Sequence, residues 1–236
     1  MKAEGIIVAG GSGTRMKSDM PKQYLTVGDS PILTHTLRRF ESAAVIGSVI
    51  LVVPGGDIDH VRENIVEKYG INKVRRIIAG GRQRQDSVCR GLGVLRDDTE
   101  IVVIHDGVRP FVTAECIEKT VTEAEKWGAV VTGIRLTDTL KRVSEDGAVD
   151  GTLDRSDLWC AQTPQVFRKE IILRAYDRAG EEGFYGTDDA VLVERIGVKV
   201  VMLNGSRENI KITEDEDLPF AEFMVTRNGD RKEVLP

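Results

Sequence analysis

Short apolar runs alternate along the chain with segments whose apolar residues recur at helical spacing. Short runs rich in valine and isoleucine are typical of strands buried on both faces, and the amphipathic segments between them are typical of helices that cover a sheet. The pattern therefore predicts an α/β fold with a mostly parallel sheet flanked by helices. The predicted strands are residues 5–9, 48–53, 74–79, 101–105, 129–134 and 199–203.

The predicted helices lie between and after these strands. Pro31 stands at the start of the first helix, and Thr113 is placed as the N-cap of the helix over residues 114–127. Thr213 and Glu216 have the spacing of a capping box, which predicts that the last helix begins there. The other predicted helices are residues 31–41, 58–69, 83–95, 169–179 and 188–196.

The alternation breaks between residues 137 and 159. Two short runs, residues 138–143 and 148–153, flank a turn that contains Asp146-Gly147. Because Asp-Gly is a strong turn signal, this segment predicts a β-hairpin arm rather than another strand–helix–strand step.

Length and composition predict one globular domain. The 236 residues are enough for a large core, and no linker divides them, so residues 1–228 are predicted as the domain and residues 229–236 as a polar tail. Hydrophobic residues make up 41% and charged residues 30% of the chain, which is ordinary for a globular protein. The net charge of −5 gives no support for a nucleic-acid partner or a membrane surface.

Targeting signals and cysteine chemistry are not indicated by the sequence. No apolar run approaches the roughly 20 residues that span a bilayer, and no signal peptide is recognisable, so a cytoplasmic location is expected. Cys89, Cys116 and Cys160 are far apart and form no CxxC pair, which argues against a disulfide framework or a zinc site. Each cysteine is expected to be a small core residue.

The first strand leads into a glycine-rich segment, residues 9–14, that is followed by Arg15 and then Lys22. Glycines allow successive backbone N–H groups to approach phosphate oxygens, and the two cations add positive charge there. The spacing fits neither a P-loop, nor the dinucleotide fingerprint, nor a nucleophile elbow. The segment predicts another kind of nucleotide loop, the alternative being a tight turn with solvated cations.

A second motif, His105-Asp106-Gly107-Val108-Arg109-Pro110, follows a predicted strand directly. Ligands of open α/β sheets bind beyond the carboxyl ends of the strands, so Asp106 is a candidate for holding sugar hydroxyls or a hydrated metal. Arg109 is a candidate for positioning Asp106 or binding an anion. The alternative is a buried Asp–Arg pair that only fixes the loop. His105 is interpreted as a packed residue because nothing provides it with a nucleophile.

Weaker signals lie elsewhere. Gly80-Gly81 leads into a predicted helix, where backbone groups and the Ser87 hydroxyl can read a base edge, although a plain helix entry with exposed charges is the alternative. The hairpin displays Thr139 and Arg155, either as an anion site or as a solvated arm. Lys211, near a strand end, is by itself indistinguishable from a surface charge.

In this order, the segments resemble the 2-C-methyl-D-erythritol 4-phosphate cytidylyltransferase family of the non-mevalonate isoprenoid pathway, over essentially residues 5–223. The opening AGGSGTRM–PKQY is shared by many nucleotidyltransferases. Its combination with GGRQRQDSV, HDGVRP, TDTLK, LDRSDLW, QTPQVF and ENIKIT is far more specific. The resemblance implies a Rossmann-like nucleotidyltransferase fold with a β-arm exchanged across a homodimer. It also implies an Mg²⁺-dependent reaction of CTP with a sugar-alcohol phosphate, methylerythritol 4-phosphate, that releases pyrophosphate.

The resemblance also implies roles for individual residues. Arg15 and Lys22 match the catalytic cations that stabilise charge on the α-phosphate, and Mg²⁺ is expected to be held mainly by the CTP phosphates, with Asp106 as a contact through water. The implied CTP-binding residues are Ala9, Gly10, Gly11, Ser12, Gly13, Thr14, Gly81, Ser87, Asp106 and Gly107. The implied substrate-binding residues are Arg109, Thr139, Arg155, Thr163 and Lys211. The chain departs from the family's usual HDAARP at Gly107-Val108.

Three other functions are compatible with parts of the sequence. A ribitol-5-phosphate cytidylyltransferase shares the loop, the lysine and a similar HD-x-x-RP segment, but residues 138–141 and Asp154-Arg155 favour the methylerythritol enzyme. A non-catalytic nucleotide sensor would not need Arg15, Lys22 and Asp106 together, because binding alone requires no transition-state clamp. A hydride-transfer enzyme is disfavoured by the broken dinucleotide fingerprint.

Overall fold

The computed structural model describes residues 2–11 and 20–233, with side chains described as far as Arg227. Strands and helices alternate as predicted. The first half of the chain contains β1 (Ala3–Val8), a 3₁₀ turn (Lys22–Tyr24), β2 (Thr26–Val27), β3 (Ser30–Pro31), α1 (Ile32–Ser42), β4 (Ile46–Val53), a 3₁₀ turn (Gly55–Asp57), α2 (Ile58–Val61) continuing as a π-helix (Arg62–Glu67), β5 (Val74–Ala79), α3 (Arg84–Leu92) and β6 (Ile101–Asp106). The second half contains α4 (Ala114–Trp127), β7 (Ala129–Arg135), β8 (Lys141–Val143), β9 (Val149–Thr152), β10 (Trp159–Arg168), α5 (Lys169–Glu182), α6 (Asp189–Arg195), β11 (Val201–Asn204) and α7 (Asp217–Glu233).

The central sheet is mostly parallel, as predicted. Its seven described strands follow the order β11-β7-β10-β6-β1-β4-β5. β1 lies between β4 and β6 and is parallel to both, and among these strands only β10 runs antiparallel to its neighbours. The carboxyl ends of β1, β4 and β6 therefore meet at one edge, which is where ligands of such sheets bind.

Alternate residues of the central strands face two separate hydrophobic layers. In β6, Ile101 and Val103 pack in the layer that contains residues of α1, α2 and α4, whereas Val102 and Ile104 pack in the layer that contains residues of α3, α5 and α6. Gly91 brings α3 close to β1, because a Cβ atom at this position would lie 2.7 Å from Ile6. This close packing directs the first turn of α3 toward the carboxyl end of the sheet.

Strand β10 was not anticipated from the sequence. Gln162, Thr163 and Gln165 are polar, and Pro164 lacks a backbone donor, so the segment resembles a loop. In the structure all three polar side chains are buried, and the pairing with β7 shifts register between Ala161 and Gln165. The antiparallel direction of β10 places Thr163 beside the carboxyl end of β6.

The hairpin arm is confirmed. Strands β8 and β9 form their own two-stranded sheet, and Gly147 adopts a φ of 86° in the turn between them. Val143 and Val149 are 52% and 60% exposed, so the arm presents apolar side chains outward.

Two local expectations were wrong. Helix α7 begins at Asp217 rather than at Thr213, because the Asp217 carboxylate accepts the backbone N–H groups of Thr213 and Glu214 (2.7 and 3.0 Å) while the Thr213 hydroxyl donates to a carbonyl. The α7 backbone continues to Glu233. Two of the cysteines expected in the core, Cys89 and Cys160, are exposed.

The described residues contain no helix that is both long and apolar enough to cross a bilayer. The domain limits stay a prediction.

Candidate functional site

A cavity of about 490 Å³ opens at the carboxyl ends of β1 and β6. Its wall is formed by the end of β1, by the start of the glycine-rich segment and by the first turn of α3. The sequence-predicted residues that line it are Ala9, Gly10, Gly11, Lys22, Gly81, Ser87, Asp106 and Lys211. Segments that are far apart in the chain therefore converge as expected.

Asp106 is surrounded by three cations. Its Oδ1 lies 3.0 Å from Arg84 Nε, and its Oδ2 lies 2.9 Å from Lys211 Nζ and 3.5 Å from Arg109 Nε. Burial alone would raise the pKa of Asp106, but the charges of Arg84, Lys211 and Arg109 outweigh burial and hold the pKa well below its usual range. We call these four residues the Asp106 cluster. Its three cations face Asp106 and also Asp189, which lies 2.8 Å from Arg84, so one positive charge is left over, which suits a polyphosphate ligand.

Each member of the Asp106 cluster is held by its backbone surroundings. Asp106 ends β6, and Arg84 opens α3. Lys211 is brought in because the N–H of Ile212 donates to the Val108 carbonyl at 2.9 Å, and Arg109 Nη1 donates to the Asn209 carbonyl at 2.8 Å.

His105 and Thr163 form hydrogen bonds that hold the end of β6. The Thr163 hydroxyl accepts the Asp106 N–H (3.1 Å) and lies 3.0 Å from His105 Nδ1, and His105 Nε2 lies 3.2 Å from the Arg109 carbonyl. Because a carbonyl only accepts, Nε2 carries the hydrogen and Nδ1 accepts from Thr163. Burial lowers the pKa of His105 to about 4, so the ring is neutral near pH 7. The expectation of a packed histidine rather than a general base agrees with this geometry.

Gln23 joins the 3₁₀ turn that begins at Lys22 to the start of the glycine-rich segment. Lys22 begins the 3₁₀ turn and is largely buried beside the cavity. Gln23 Nε2 donates to the carbonyl of Ala9 at 2.9 Å and to that of Gly11 at 3.4 Å. Gln23 was not assigned a role from the sequence, although it lies in the PKQY motif.

The turn before α3 is built around Gly81 and Ser87. A Cβ atom at Gly81 would lie 2.2 Å from the Asp86 side chain, so only glycine fits there. The Ser87 hydroxyl accepts the Gly81 N–H (3.0 Å) and donates to the Gln83 carbonyl (3.1 Å). The proton with which Ser87 was expected to read a base is therefore used within the chain, and an acceptor lone pair is left.

A second cavity, of about 250 Å³, lies on the other side of the Asp106 cluster. Arg84, Asp106 and Lys211 line both cavities, and Arg109 and Thr163 line the second. The Asp106 cluster thus lies beside two adjacent cavities, an arrangement that suits two ligands bound side by side.

Gly107 supports the site from outside the cavity lining. A Cβ atom there would lie 2.9 Å from Ala9 Cβ and 3.2 Å from the Val8 carbonyl oxygen. Its N–H donates to the same carbonyl at 2.8 Å. Where the family motif HDAARP has its first alanine, this chain has Gly107, at a position with no room for a Cβ atom. Where the motif has its second alanine, this chain has Val108, which lines the first cavity.

Some predicted site residues are not brought to the cavities. Thr139 and Arg155 lie on the arm and are exposed, and Arg155 Nη1 donates to the carbonyl of Thr137. The predictions for Ser12, Gly13, Thr14 and Arg15 lie outside the described residues.

The two most informative residues without a predicted role are Arg84 and Asp189, which form an ion pair at 2.8 Å. A signal for Arg84 was present in the sequence, because a cation in the first turn of a helix faces the positive end of its dipole. Such a position needs a compensating partner, but that partner lies 105 residues away and only the fold reveals it.

No cluster of three or more His, Cys, Asp or Glu residues able to hold a metal ion occurs among the described residues. Among the described residues, one carboxylate, that of Asp106, lines the first cavity. Mg²⁺ characteristically keeps several waters and binds through one or two carboxylates together with substrate phosphates. The site therefore fits a metal brought with a nucleotide rather than one held in a protein cage.

Comparison with known proteins agrees with the fold and the site. Residues 4–227 match the family model described as IspD, 2-C-methyl-D-erythritol 4-phosphate cytidylyltransferase. The chain belongs to this family. Members of the IspD family are nucleotidyltransferases, so the chain is an enzyme of that class.

Individual IspD relatives match over nearly the whole chain. The 2-C-methyl-D-erythritol 4-phosphate cytidylyltransferase of Syntrophus aciditrophicus is 47% identical over 98% of each chain. The protein of the same name from Alkaliphilus metalliredigens is 44% identical over 97% of this chain and 95% of its own. The crystal structure of 4-diphosphocytidyl-2C-methyl-D-erythritol synthase from Anaerococcus prevotii superposes with a TM-score of 0.84 at 35% identity, over 95% of this chain and 96% of that one.

Proposed function

We propose that this chain transfers the cytidylyl group of CTP to 2-C-methyl-D-erythritol 4-phosphate, giving 4-diphosphocytidyl-2-C-methyl-D-erythritol and pyrophosphate. The observation that carries the proposal is the Asp106 cluster, with its surplus of cations between two cavities. The larger cavity has the volume and glycine-lined entry for a nucleotide, and the smaller one suits a short phosphorylated polyol.

The chemistry needs no protein nucleophile. An oxygen of the acceptor's own phosphate attacks the α-phosphorus of CTP, and the bond between the α-phosphorus and the bridging oxygen breaks as pyrophosphate leaves. Negative charge gathers on the non-bridging and leaving oxygens. Lys22, which lines the first cavity, and Arg15 are proposed to stabilise that charge, and Lys211 and Arg109 to bind the acceptor phosphate beside Asp106.

The remaining roles follow from position. Ala9, Gly10, Gly11 and Gly81 line the first cavity and are proposed, with Ser12, Gly13 and Thr14, to hold the nucleotide. Ser87, Asp106 and Gly107 are proposed to contact the cytidine or to shape its site, and Thr163 to contact the acceptor. When bound, Mg²⁺ would neutralise charge on the triphosphate, with Asp106 as the residue placed to reach it through water.

The arm is proposed to complete the site in a homodimer. Thr139 and Arg155 lie apart from both cavities in one chain, and the exposed valines of the arm suit a partner surface. A second copy is the partner that the family resemblance implies. A cytoplasmic location stays the expectation from the sequence.

The test is a direct assay of the purified chain with CTP, Mg²⁺ and either methylerythritol 4-phosphate or ribitol 5-phosphate. We expect pyrophosphate release and a CDP-linked product with the first acceptor. Equal or faster turnover with ribitol 5-phosphate would favour the other cytidylyltransferase. Binding of CTP without pyrophosphate release would favour a nucleotide sensor.

A further inference from the structure

Arg84 connects the site to two buried side chains, Asp189 and Tyr176, that lie behind it. Arg84 Nε lies 3.0 Å from Asp106 Oδ1, and Arg84 Nη2 lies 2.8 Å from Asp189 Oδ2. Asp189 Oδ1 in turn accepts the hydroxyl of Tyr176 at 2.6 Å. One guanidinium thus connects two carboxylates that are 8% and 1% exposed.

Asp189 and Tyr176 are themselves firmly held. The backbone N–H groups of Asp189 and Ala190 donate to Gln165 Oε1 at 3.1 and 3.0 Å, which fixes the start of α6 to β10. Tyr176 belongs to the hydrophobic layer between α5, α6 and the sheet. Asp189 is therefore held by contacts with β10 and α5 in addition to its contact with Arg84.

Helix stability does not explain Arg84. A positive charge at the first residue of α3 faces the positive end of the helix dipole and is unfavourable there. The planar fork of a guanidinium, in contrast, donates in two directions at fixed geometry, which a lysine ammonium does not reproduce. Arg84 also lines both cavities, at the wall between them.

We propose that Arg84 is a positioning residue for the cytidylyl transfer, and that Asp189 and Tyr176 orient it so that Asp106 is held with one oxygen engaged and the other facing Lys211. This inference rests on the proposed function. Asp189 and Tyr176 act through Arg84, because the described lining of the two cavities includes neither of them.

The decisive variant is Asp189→Asn, which keeps the shape of the side chain and removes the charge that Arg84 Nη2 contacts. Loosening Arg84 displaces Asp106 in the transition state more than it weakens ground-state binding. We therefore expect kcat to fall about tenfold, with KM for CTP and for the acceptor within about threefold of wild type.

The matched control is Glu4→Gln. Glu4 is also buried and paired with an arginine, Arg75, at 2.7 Å, but it lies at the amino end of β1. It undergoes the same chemical change without contact with the site. We expect Glu4→Gln to lower stability while kcat of the folded enzyme stays at the wild-type value.

Two further variants keep the inference open to contradiction if Asp189→Asn does not fold. Tyr176→Phe removes one hydroxyl and is expected to lower kcat about threefold, as the loss of one buried hydrogen bond would. Arg84→Lys keeps the charge and loses the fork, and we expect a kcat loss like that of Asp189→Asn.

The outcomes separate the two proposals. A wild-type enzyme that releases no pyrophosphate from CTP and methylerythritol 4-phosphate would remove the proposed function and this inference with it. An active wild type whose folded Asp189→Asn variant keeps the kcat of Glu4→Gln would overturn the inference alone. Wild-type kcat in folded Tyr176→Phe and Arg84→Lys would also overturn it.

Discussion

Two buried carboxylates lie at opposite ends of the central sheet and differ in what surrounds them. Glu4, near the start of β1, is paired with one cation, Arg75, and accepts further hydrogen bonds from the hydroxyls of Ser48 and Thr99 and from the Arg96 N–H. Asp106, at the end of β6, faces three cations. The two residues stand on neighbouring parallel strands of the same sheet.

The difference distinguishes a carboxylate whose charge is matched by its neighbours from one that lies among excess cations. At Glu4, neutral donors and one arginine match the oxygen lone pairs, so little charge is left over. At the Asp106 cluster, three cations face two carboxylates, Asp106 and Asp189, and the remaining positive charge lies beside two cavities. Maintaining such a surplus is costly for a folded protein and useful to an enzyme that must stabilise a polyphosphate.

The largest effect should come from removing a cation at the carboxyl end of the sheet. Lys22→Ala is expected to lower kcat about 10²–10³-fold, or about 2.7–4 kcal/mol, because a preorganised donor to the transition state is lost. Steady-state pyrophosphate release measures this, and circular dichroism checks that the fold is kept.

Lys73→Ala is the control for Lys22→Ala. Lys73 Nζ donates to the carbonyls of Phe40 and Ala43 at 3.3 and 2.7 Å, near the amino end of β5. We expect normal turnover per folded molecule. If Lys22→Ala also turned over normally, Lys22 would have no catalytic role.

A substitution at the amino end of the sheet should change stability rather than turnover. Glu4→Gln is expected to lower the free energy of unfolding by about 2–3 kcal/mol, because charge-assisted hydrogen bonds to Arg75 and the Arg96 N–H are weakened. Urea denaturation of wild type and variant measures the change. A variant that kept full stability would show that the Glu4 pairing only balances its own desolvation cost.

A pH titration should expose the neutral histidine beneath the Asp106 cluster. The unfolded chain takes up the His105 proton near its usual pKa of about 6.5, whereas the folded chain takes it up only near a pKa of about 4. Stability is therefore complete above the unfolded pKa and should fall by about 2 kcal/mol between pH 7 and pH 5 from this residue. Asp106 does not contribute in that window, because the usual Asp pKa of about 3.9 in the unfolded chain and the lowered pKa in the folded chain both lie below pH 5.

The measurement compares denaturation curves of wild type and His105→Asn at both pH values. A steeper loss in the wild type is expected, and equal slopes would contradict a depressed His105 pKa. The ring proton signals of His105 give an independent check, since they should not titrate between pH 7 and pH 5.

Local signals were sufficient for much of the fold. The valine- and isoleucine-rich runs located the parallel strands, Thr113 was correctly placed as the N-cap of α4, and Asp146-Gly147 correctly marked the hairpin turn. In each case the deciding interaction lies within a few residues of the chain. The last helix was misplaced because the Asp217 carboxylate accepts the Thr213 N–H, which the expected capping box assigns to the Glu216 side chain.

Contacts between segments that are distant in the chain could not be predicted from the sequence. β10 resembles a loop because its polar residues find partners only in the folded protein, as when Thr163 bonds Asp106 and His105. The Arg84–Asp189 pair likewise forms only because the folded sheet brings α3 and α6 together. For the site, the motif resemblance indicated Asp106, Arg109 and Lys211, but not the residues that orient them.

The smallest predicted effect tests whether the cation-rich end of the sheet is complete within one chain. Arg155 is exposed on the arm, far from the buried pairing that positions Asp106. If it completes a partner's site, mixed dimers of Lys22→Ala and Arg155→Ala chains contain one intact site. Random assortment would then restore about a quarter of wild-type activity, a deficit of less than 1 kcal/mol, from two nearly inactive parents. Pyrophosphate release after joint refolding measures the rescue, with each refolded parent alone as the control. Verified heterodimers without rescue would mean that Arg155 serves its own chain, and that the Asp106 cluster needs nothing from a neighbour.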